Sequence, residues 1–473
     1  MIKTLLALAI LVANIGMEWF KSQFDTYDKM QKCLHELAEP GYVEHKSAEL
    51  IIKHLEEHGF KVERGVANIP TAFVATFGEG KPVMGVLAEY DALPGLSQDT
   101  TACFNPRIAG GYGHGCGHNL IGTAAVSAAV AVSKWLAEGH KGTIKLFGCP
   151  AEEGGGGKTY MVREGLFDDV DCAISYHPTS CNQILHTSQS AKIGVLFNFI
   201  GKSSHAGSTP HNGRSALDGV EAMNFMMNLN REHIHQDCRV HYIITDGGEA
   251  PNIVPDKAQV YYYLRHPNSE VAKELLKRTI AAAEGAAMGT GTAVKYEFLS
   301  GTYSILRNNT LAKIAHRNLV KVGGVKLTDA EKEYVRALNG GADKNRPIDL
   351  TPFERVEPFV ESWVYGGGSS DDTGDVSQVV PLCRVETCAN IIGIHTWQFS
   401  SIVGTSIGTK AMLNAAKTIY LTLIELYQKP KELQKIREEW ESVQGKDYKY
   451  ESIIGNAPPA LEYFRKKAES APR

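Results

Sequence analysis

Residues 111–119 read Gly-Tyr-Gly-His-Gly-Cys-Gly-His-Asn, a run in which glycines separate residues able to bind a metal or accept a proton. Cys116 and His118 stand two apart on backbone that glycine lets bend freely, so a thiolate and an imidazole can turn toward one ion. The stretch that follows, residues 119–136 (NLIGTAAVSAAVAVSKWL), is Ala-rich and apolar. It predicts a long, mostly buried helix opened by Asn119 as N-cap. The candidate ligands therefore stand at a loop-to-helix junction, where function commonly sits. Short motifs match by chance, and the same residues also read as a glycine turn with a buried cysteine and surface histidines.

Three further segments carry ligands of the same kind. Glu152 and Glu153 follow an apolar run at 143–148 and precede four glycines; His177 follows another apolar run at 172–176; His395 lies in Ile-Gly-Ile-His-Thr-Trp. Thiolate, imidazole and carboxylate suit borderline divalent metals such as zinc or manganese. Five ligands exceed the needs of one tetrahedral ion and suit two ions with one ligand shared. Of the adjacent glutamates, one can coordinate while its neighbour stays free as a general base for water. His177 and His395, taken singly, read equally well as structural histidines. Gly157-Lys158-Thr159 resembles part of a phosphate loop, but that motif needs glycine where Glu152 stands, and a carboxylate there repels phosphate. His205, in a loop after a strand, could donate to a developing oxyanion, and Arg265 could hold a carboxylate by a two-pronged contact. On the residues alone these two read as a surface histidine and a strand-end arginine in an ion pair.

The elements that must position these groups alternate. Apolar runs at 72–77, 83–89, 143–148 and 172–176 have strand length, and the helix at 119–136 falls between them. Polar groups gather at the strands' C-terminal ends, as in an open α/β sheet. From about residue 187 the order becomes strand 193–200, helix 215–230, strands 239–245 and 258–265, helix 269–287 and strand 293–300. That β-α-β-β-α-β order is ferredoxin-like. It is inserted, because α/β material resumes with a helix at 310–322 and a strand at 381–388. The expected organisation is an open mixed-sheet α/β catalytic domain over 17–186 and 305–430, an inserted ferredoxin-like unit over 187–304, and a charged helical tail over 431–473. Residues 325–360 read as a polar surface excursion.

Bulk properties bound the function. A chain of 473 residues with 43% hydrophobic and 22% charged residues is an ordinary globular enzyme of about two domains. A net charge of −4 gives no basic stripe for nucleic acid. Nine cysteines without a CxxC pair argue for a reducing compartment and a cytoplasmic enzyme. Residues 1–16 (MIKTLLALAILVANIG) hold an apolar run too short to span a bilayer. They read as a secretory signal, which would export the protein, or as an extra start ahead of Met17.

Together, AEYDALP, HGCGHN, CPAEEGGGGKTYMVREGLFDDVD, YHP, SSHAG, APNIVP and GIHTWQ resemble the amidohydrolase branch of the aminoacylase/carboxypeptidase G metallopeptidases. Within it, the likeness is greatest to the B-type chains that act on p-aminobenzoyl-glutamate, and it runs from about residue 20 to about 425. The resemblance implies two divalent ions, manganese or zinc, in an α/β domain with an inserted lid that makes a homodimer. Carried over by motif, Cys116 would bridge the ions, with Glu153 and His395 on one and His118 and His177 on the other. Glu152 would be the general base and Asp91 would orient His118. His205 would reach the active site of a second copy of the chain, and Asn252 and Arg265 would contact a substrate bearing a free carboxylate. The implied reaction is hydrolysis of p-aminobenzoyl-glutamate to p-aminobenzoate and glutamate, a step of folate breakdown. A dipeptidase or general N-acyl-amino-acid deacylase is the alternative within the class. A partner-dependent or non-catalytic protein working with a related A-type chain is the alternative outside it.

Overall fold

The computed structural model describes residues 16–340, 348–362 and 369–472. The reading of residues 1–16 as a signal or extra start lies, Gly16 apart, outside the described residues. Seven strands form the larger sheet: β1 (Lys61–Arg64), β2 (Phe73–Glu79), β3 (Val83–Ala88), β4 (Gly142–Gly148), β5 (Cys172–Thr179), β6 (Gln183–Ile184) and β11 (Leu382–Cys388). Their order is β1-β2-β4-β3-β5-β11-β6. The central pairs β4–β3, β3–β5 and β5–β11 are parallel, and the outer pairs are antiparallel. This is the expected open mixed sheet.

Alternate residues of each strand feed opposite cores, as the two-residue period of a strand requires. Phe73, Ala75, Met84, Val86, Ile144 and Leu146 pack with α1 (Phe24–Leu37), α2 (His45–Glu57), α3 (His118–Ala137) and the long C-terminal helix Ser406–Gln428. Val74, Val83, Leu87 and Phe147 face the other way, toward Tyr160, Met161 and Phe167. Burial on both faces explains why these strands read as continuous apolar runs. Among the described residues α3 is the one helix long and apolar enough to cross a membrane, and 89% of its apolar window is buried inside the protein. Its composition is that of a core helix.

A second sheet holds β7 (Ala191–Ile200), β8 (Arg239–Asp246), β9 (Lys257–His266) and β10 (Ala293–Thr302) in the antiparallel order β10-β7-β9-β8. Two helices, Ala216–Leu229 and Ser269–Thr290, pack against each other and against this sheet. The chain order is the expected β-α-β-β-α-β.

Two local expectations are corrected. Asn119 is not the N-cap of α3: Gly117 is, at φ +80, and Asn119 sits in the first turn. Its amide donates to Gln31 Oε1 (2.8 Å) and to Val403 O (3.1 Å), tying α3 to α1 and to the C-terminal half. Residues 325–360 are not simply a surface excursion, although 341–347 lie outside the described residues. They include helix Asp329–Asn339, opened by a capping box between Thr328 and Glu331, and Val325, Val335, Leu338 and Phe353 are buried. The Thr-x-x-Glu spacing is a local start signal. Few apolar residues surround it, so composition alone hid the helix.

Candidate metal centre

The site forms where the parallel strands β4, β3, β5 and β11 present their C-terminal ends, the usual ligand position in an open α/β sheet. After β3 come Glu89 and Asp91, and the chain returns through the glycine-rich loop to Cys116 and His118 at the start of α3. Gly117 is required there by its positive φ, and a Cβ on it would stand 2.6 Å from Pro178 Cγ. After β4 come Glu152 and Glu153; His177 lies near the C-terminal end of β5; His395 follows β11.

Two groups of potential ligands share Cys116. Its thiol groups with His118 and His177, and also with Glu153 and His395, all donor atoms in each set lying within 4.8 Å of one another. Cys116 Sγ is 3.3 Å from His177 Nε2. His395 Nε2 is 3.4 Å from Glu153 Oε1, and His118 Nε2 is 3.8 Å from the same oxygen. Glu152 Oε2 stands 3.9 Å from His118 Nε2. His118 Nδ1 donates to Asp91 Oδ1 (2.8 Å), and His177 Nδ1 donates to Pro178 O (2.9 Å). Each contact fixes the tautomer that turns an unprotonated Nε2 toward the centre.

The donor set fits two divalent cations. His118 Nε2 and Glu153 Oε1 are buried and make no hydrogen bond among the described residues. Such orphaned polar atoms are costly unless something compensates them. The electrostatics agree. Burial, reinforced by Arg384, pulls His177 down to about 3, so it is neutral and ready to ligate. Burial and then the Glu153 and Asp371 carboxylates push Glu152 well above the usual carboxylate range. Burial and Glu153 likewise hold the Cys116 thiol up. A divalent cation reverses that logic for a ligating thiol.

Two further carboxylate contacts hold the loop that carries the glutamates. Ala151 has φ +57, a conformation that costs a non-glycine residue on the order of 1 kcal/mol. Its N–H donates to Glu44 Oε1 (2.8 Å), and the Glu153 N–H donates to Asp91 Oδ2 (3.1 Å). Glu44 is buried, and burial and Asp91 raise it to about 8. Beneath them Lys158, fully buried, donates to Glu89 Oε1 (2.6 Å) and Asp372 Oδ1 (2.5 Å). Arg384 pairs with Asp371 (2.7 Å) and Glu386 (2.9 Å). Glu89, Asp371 and Asp372 also cluster, but each is already ion-paired, Glu89 and Asp372 with Lys158 and Asp371 with Arg384. The Gly-Lys-Thr segment is thus an ion-pair anchor and not a phosphate loop. The Asp-Asp pair closing the Gly-Ser run before 373 was its only sequence signal.

The expected residues do not all meet. Cys116, Glu152, Glu153, His177, Arg265 and His395 line one cavity of about 190 Å³, with Gln189, Lys192, Asp371 and Arg384. His114 does not join them: its ring donates to Leu34 O (2.9 Å) and accepts from the Asn119 N–H (3.2 Å). His205 and Asn252 lie outside the cavity of their own chain. They are neighbours, because His205 bridges Ile253 and the Ala206 N–H donates to Asn252 O.

The profile of peptidase family M20/M25/M40 matches residues 85–465. The chain is 40% identical over 432 residues to the B component of p-aminobenzoyl-glutamate hydrolase from Escherichia coli (strain K12), covering 86% of this chain and 90% of that protein. It is 30% identical over 368 residues to the Xaa-Arg dipeptidase of Homo sapiens, covering 76% and 72%. Among solved structures, a dinuclear metal-binding peptidase of the M20 family from Bacillus subtilis matches with a TM-score of 0.55 at 18% identity, over 86% of this chain and 99% of that one.

Proposed function

Because the chain belongs to peptidase family M20/M25/M40 and is a metal-dependent amidohydrolase, we propose that it cleaves N-acyl or N-aroyl amino acids. The leading substrate is p-aminobenzoyl-glutamate, split to p-aminobenzoate and glutamate, the compound named for the Escherichia coli relative. The observation that carries this reading is the pair of ligand sets sharing Cys116, with the buried Glu152 beside them and Arg265 across the same cavity.

Two divalent ions, manganese or zinc, supply Lewis acidity that polarises the amide carbonyl and lowers the pKa of the attacking water. Cys116, His118 and His177 would hold one ion, and Cys116, Glu153 and His395 the other. Glu152 takes the proton of the attacking water on a carboxylate oxygen and delivers it to the amide nitrogen as the C–N bond breaks. Asp91 keeps His118 in its ligating tautomer. Arg265 binds the substrate carboxylate, and its guanidinium donates to Ser370 Oγ (3.3 Å) at the cavity wall.

His205 and Asn252 serve a second copy of the chain in a homodimer. His205 Nδ1 accepts the N–H groups of Gly207 and Ser208 (3.1 Å each), so the neutral ring carries its proton on Nε2. That Nε2–H is a donor suited to the oxyanion of the tetrahedral intermediate. A related A-type chain is a further partner, since the Escherichia coli hydrolase has both a B component and an A component similar to this chain.

Metal content of purified protein, measured with release of p-aminobenzoate after addition of manganese or zinc, tests the reading. Two ions per chain with turnover is the expected result. A metal-free protein that stays inactive after reconstitution sinks the ligand assignment. A panel of aroyl-glutamates, acyl-amino acids and Xaa-Arg dipeptides separates the amidase from a dipeptidase.

A further inference from the structure

Three cations line the cavity beside the ligand sets, and the reaction above employs only Arg265. Lys192 on β7 and Arg265 on β9 are directly opposite in the antiparallel register. Both line the cavity that holds Cys116, Glu152, His177 and His395. They also share an aromatic support: Lys192 Nζ and Arg265 Cζ each lie 5.4 Å from the centre of the Tyr263 ring.

Lys192 is only 6% exposed and forms no ion pair or hydrogen bond through its ammonium among the described residues. Like charges directly opposite on neighbouring strands repel. A buried ammonium also carries a desolvation cost unless a counter-ion offsets it. The other buried cation of this wall is treated differently, because Arg384 is held by two carboxylates, Asp371 and Glu386. The fold therefore neutralises Arg384 internally and leaves Lys192 facing the space that substrate enters.

We propose that Lys192 and Arg265 together form a subsite for a leaving amino acid carrying two carboxylates, and that Lys192 sets the preference for glutamate-like over neutral amino acids. The inference rests on the amidohydrolase reading and adds the residue that sets its selectivity. The guanidinium fork suits two-pronged capture of one carboxylate, and the ammonium acts as a point charge for the other. A monocarboxylate would leave the Lys192 ammonium without a counter-ion. A short aliphatic stem between carboxylates spans adjacent strands, whose directly opposed residues are about 4.5–5.5 Å apart.

The test compares metal-loaded, full-length wild type with Lys192→Met and Lys192→Arg on p-aminobenzoyl-glutamate and its isostere p-aminobenzoyl-glutamine. For Lys192→Met, kcat/KM on the glutamate substrate falls about 10- to 100-fold, mostly through KM. The glutamine substrate changes less than about threefold, and Lys192→Arg recovers most of the loss. Equal loss on both substrates, or no loss on either, overturns the proposal. Thermal shift with glutarate against butyrate supplies a readout independent of turnover. Glutarate should stabilise wild type more than butyrate does, and Lys192→Met should lose that difference; a difference retained in Lys192→Met refutes the subsite. Lys192→Met should melt no lower than wild type, since it loses an uncompensated charge; a lower melting temperature would instead assign Lys192 a structural role. A wild type that cleaves neither amide yet discriminates glutarate removes the proposed reaction and keeps the subsite. A wild type that cleaves both amides equally does the reverse.

Discussion

Asp91→Asn is the substitution whose consequence is most tightly set by geometry. Both oxygens of Asp91 accept: Oδ1 from His118 Nδ1 (2.8 Å) and Oδ2 from the Glu153 N–H (3.1 Å). Asparagine fills the same buried space but has one acceptor and one donor. With its oxygen toward His118, its NH2 confronts the Glu153 N–H and disturbs the loop that carries one ligand. With its oxygen toward Glu153, its NH2 confronts His118 Nδ1 and drives the imidazole proton to Nε2, the atom aimed at the ligand set. The first orientation leaves a buried donor facing a donor and the second puts a proton on the atom that would ligate, each worth about 1–3 kcal/mol, or roughly 10- to 100-fold in an equilibrium constant. Supports of metal-bound histidines show losses of about that size. The assay is stepwise metal titration of the apoprotein by calorimetry against a competing chelator. One site should weaken by about 10- to 100-fold, while the other stays within about fivefold. Unchanged affinity at both sites would refute the reasoning; equal loss at both with a lower melting temperature would make Asp91 a determinant of the fold instead.

Three other outcomes are expected. Glu152→Gln keeps the shape and the metal content, read by elemental analysis, but lowers kcat by at least about 100-fold because the base is gone; near-normal turnover would remove its role. Glu152→Gln and His205→Ala, each inactive alone, should regain activity when unfolded together and refolded as mixed dimers, since one chain then supplies an intact cavity and the other an intact His205; no recovery would contradict a site completed by a second copy. His35, which does not line the cavity, is pulled down to about 4 by burial, only partly offset by its bond to Ser400 O (2.7 Å). Its folded value lies below the ordinary 6.5, so its contribution is intact above about pH 6.5 and is lost as pH falls toward 4, about 3 kcal/mol in all. Denaturant unfolding between pH 7 and 4 should therefore show a shallower loss for His35→Gln than for wild type, and parallel curves would exclude the assignment.

Most elements, and the loops carrying the candidate ligands, were legible before folding is considered. Apolar runs bounded by glycine and proline placed β2 through β5 and β11 to within a few residues. The helix after Gly117 and the β-α-β-β-α-β order of the second sheet were legible for the same reason: these signals are local, set by side-chain period and turn residues. The candidate ligands were legible too, because Cys116, Glu153, His177 and His395 each stand at or beyond the C-terminal end of a strand or just before a helix, positions that the chain order fixes. Which groups meet was settled only by packing. His114 and Cys116 are two residues apart, yet one is a core histidine held by Leu34 O and the other faces the cavity. Lys158 reaches Asp372 across 214 positions, and Glu44 supports Ala151 across 107. Lys192 meets Arg265 only through strand register. Such meetings depend on the spatial order β4-β3-β5-β11 and on how the second sheet docks beside it. A buried charge finds its counter-charge, or lacks one, only after those segments have packed.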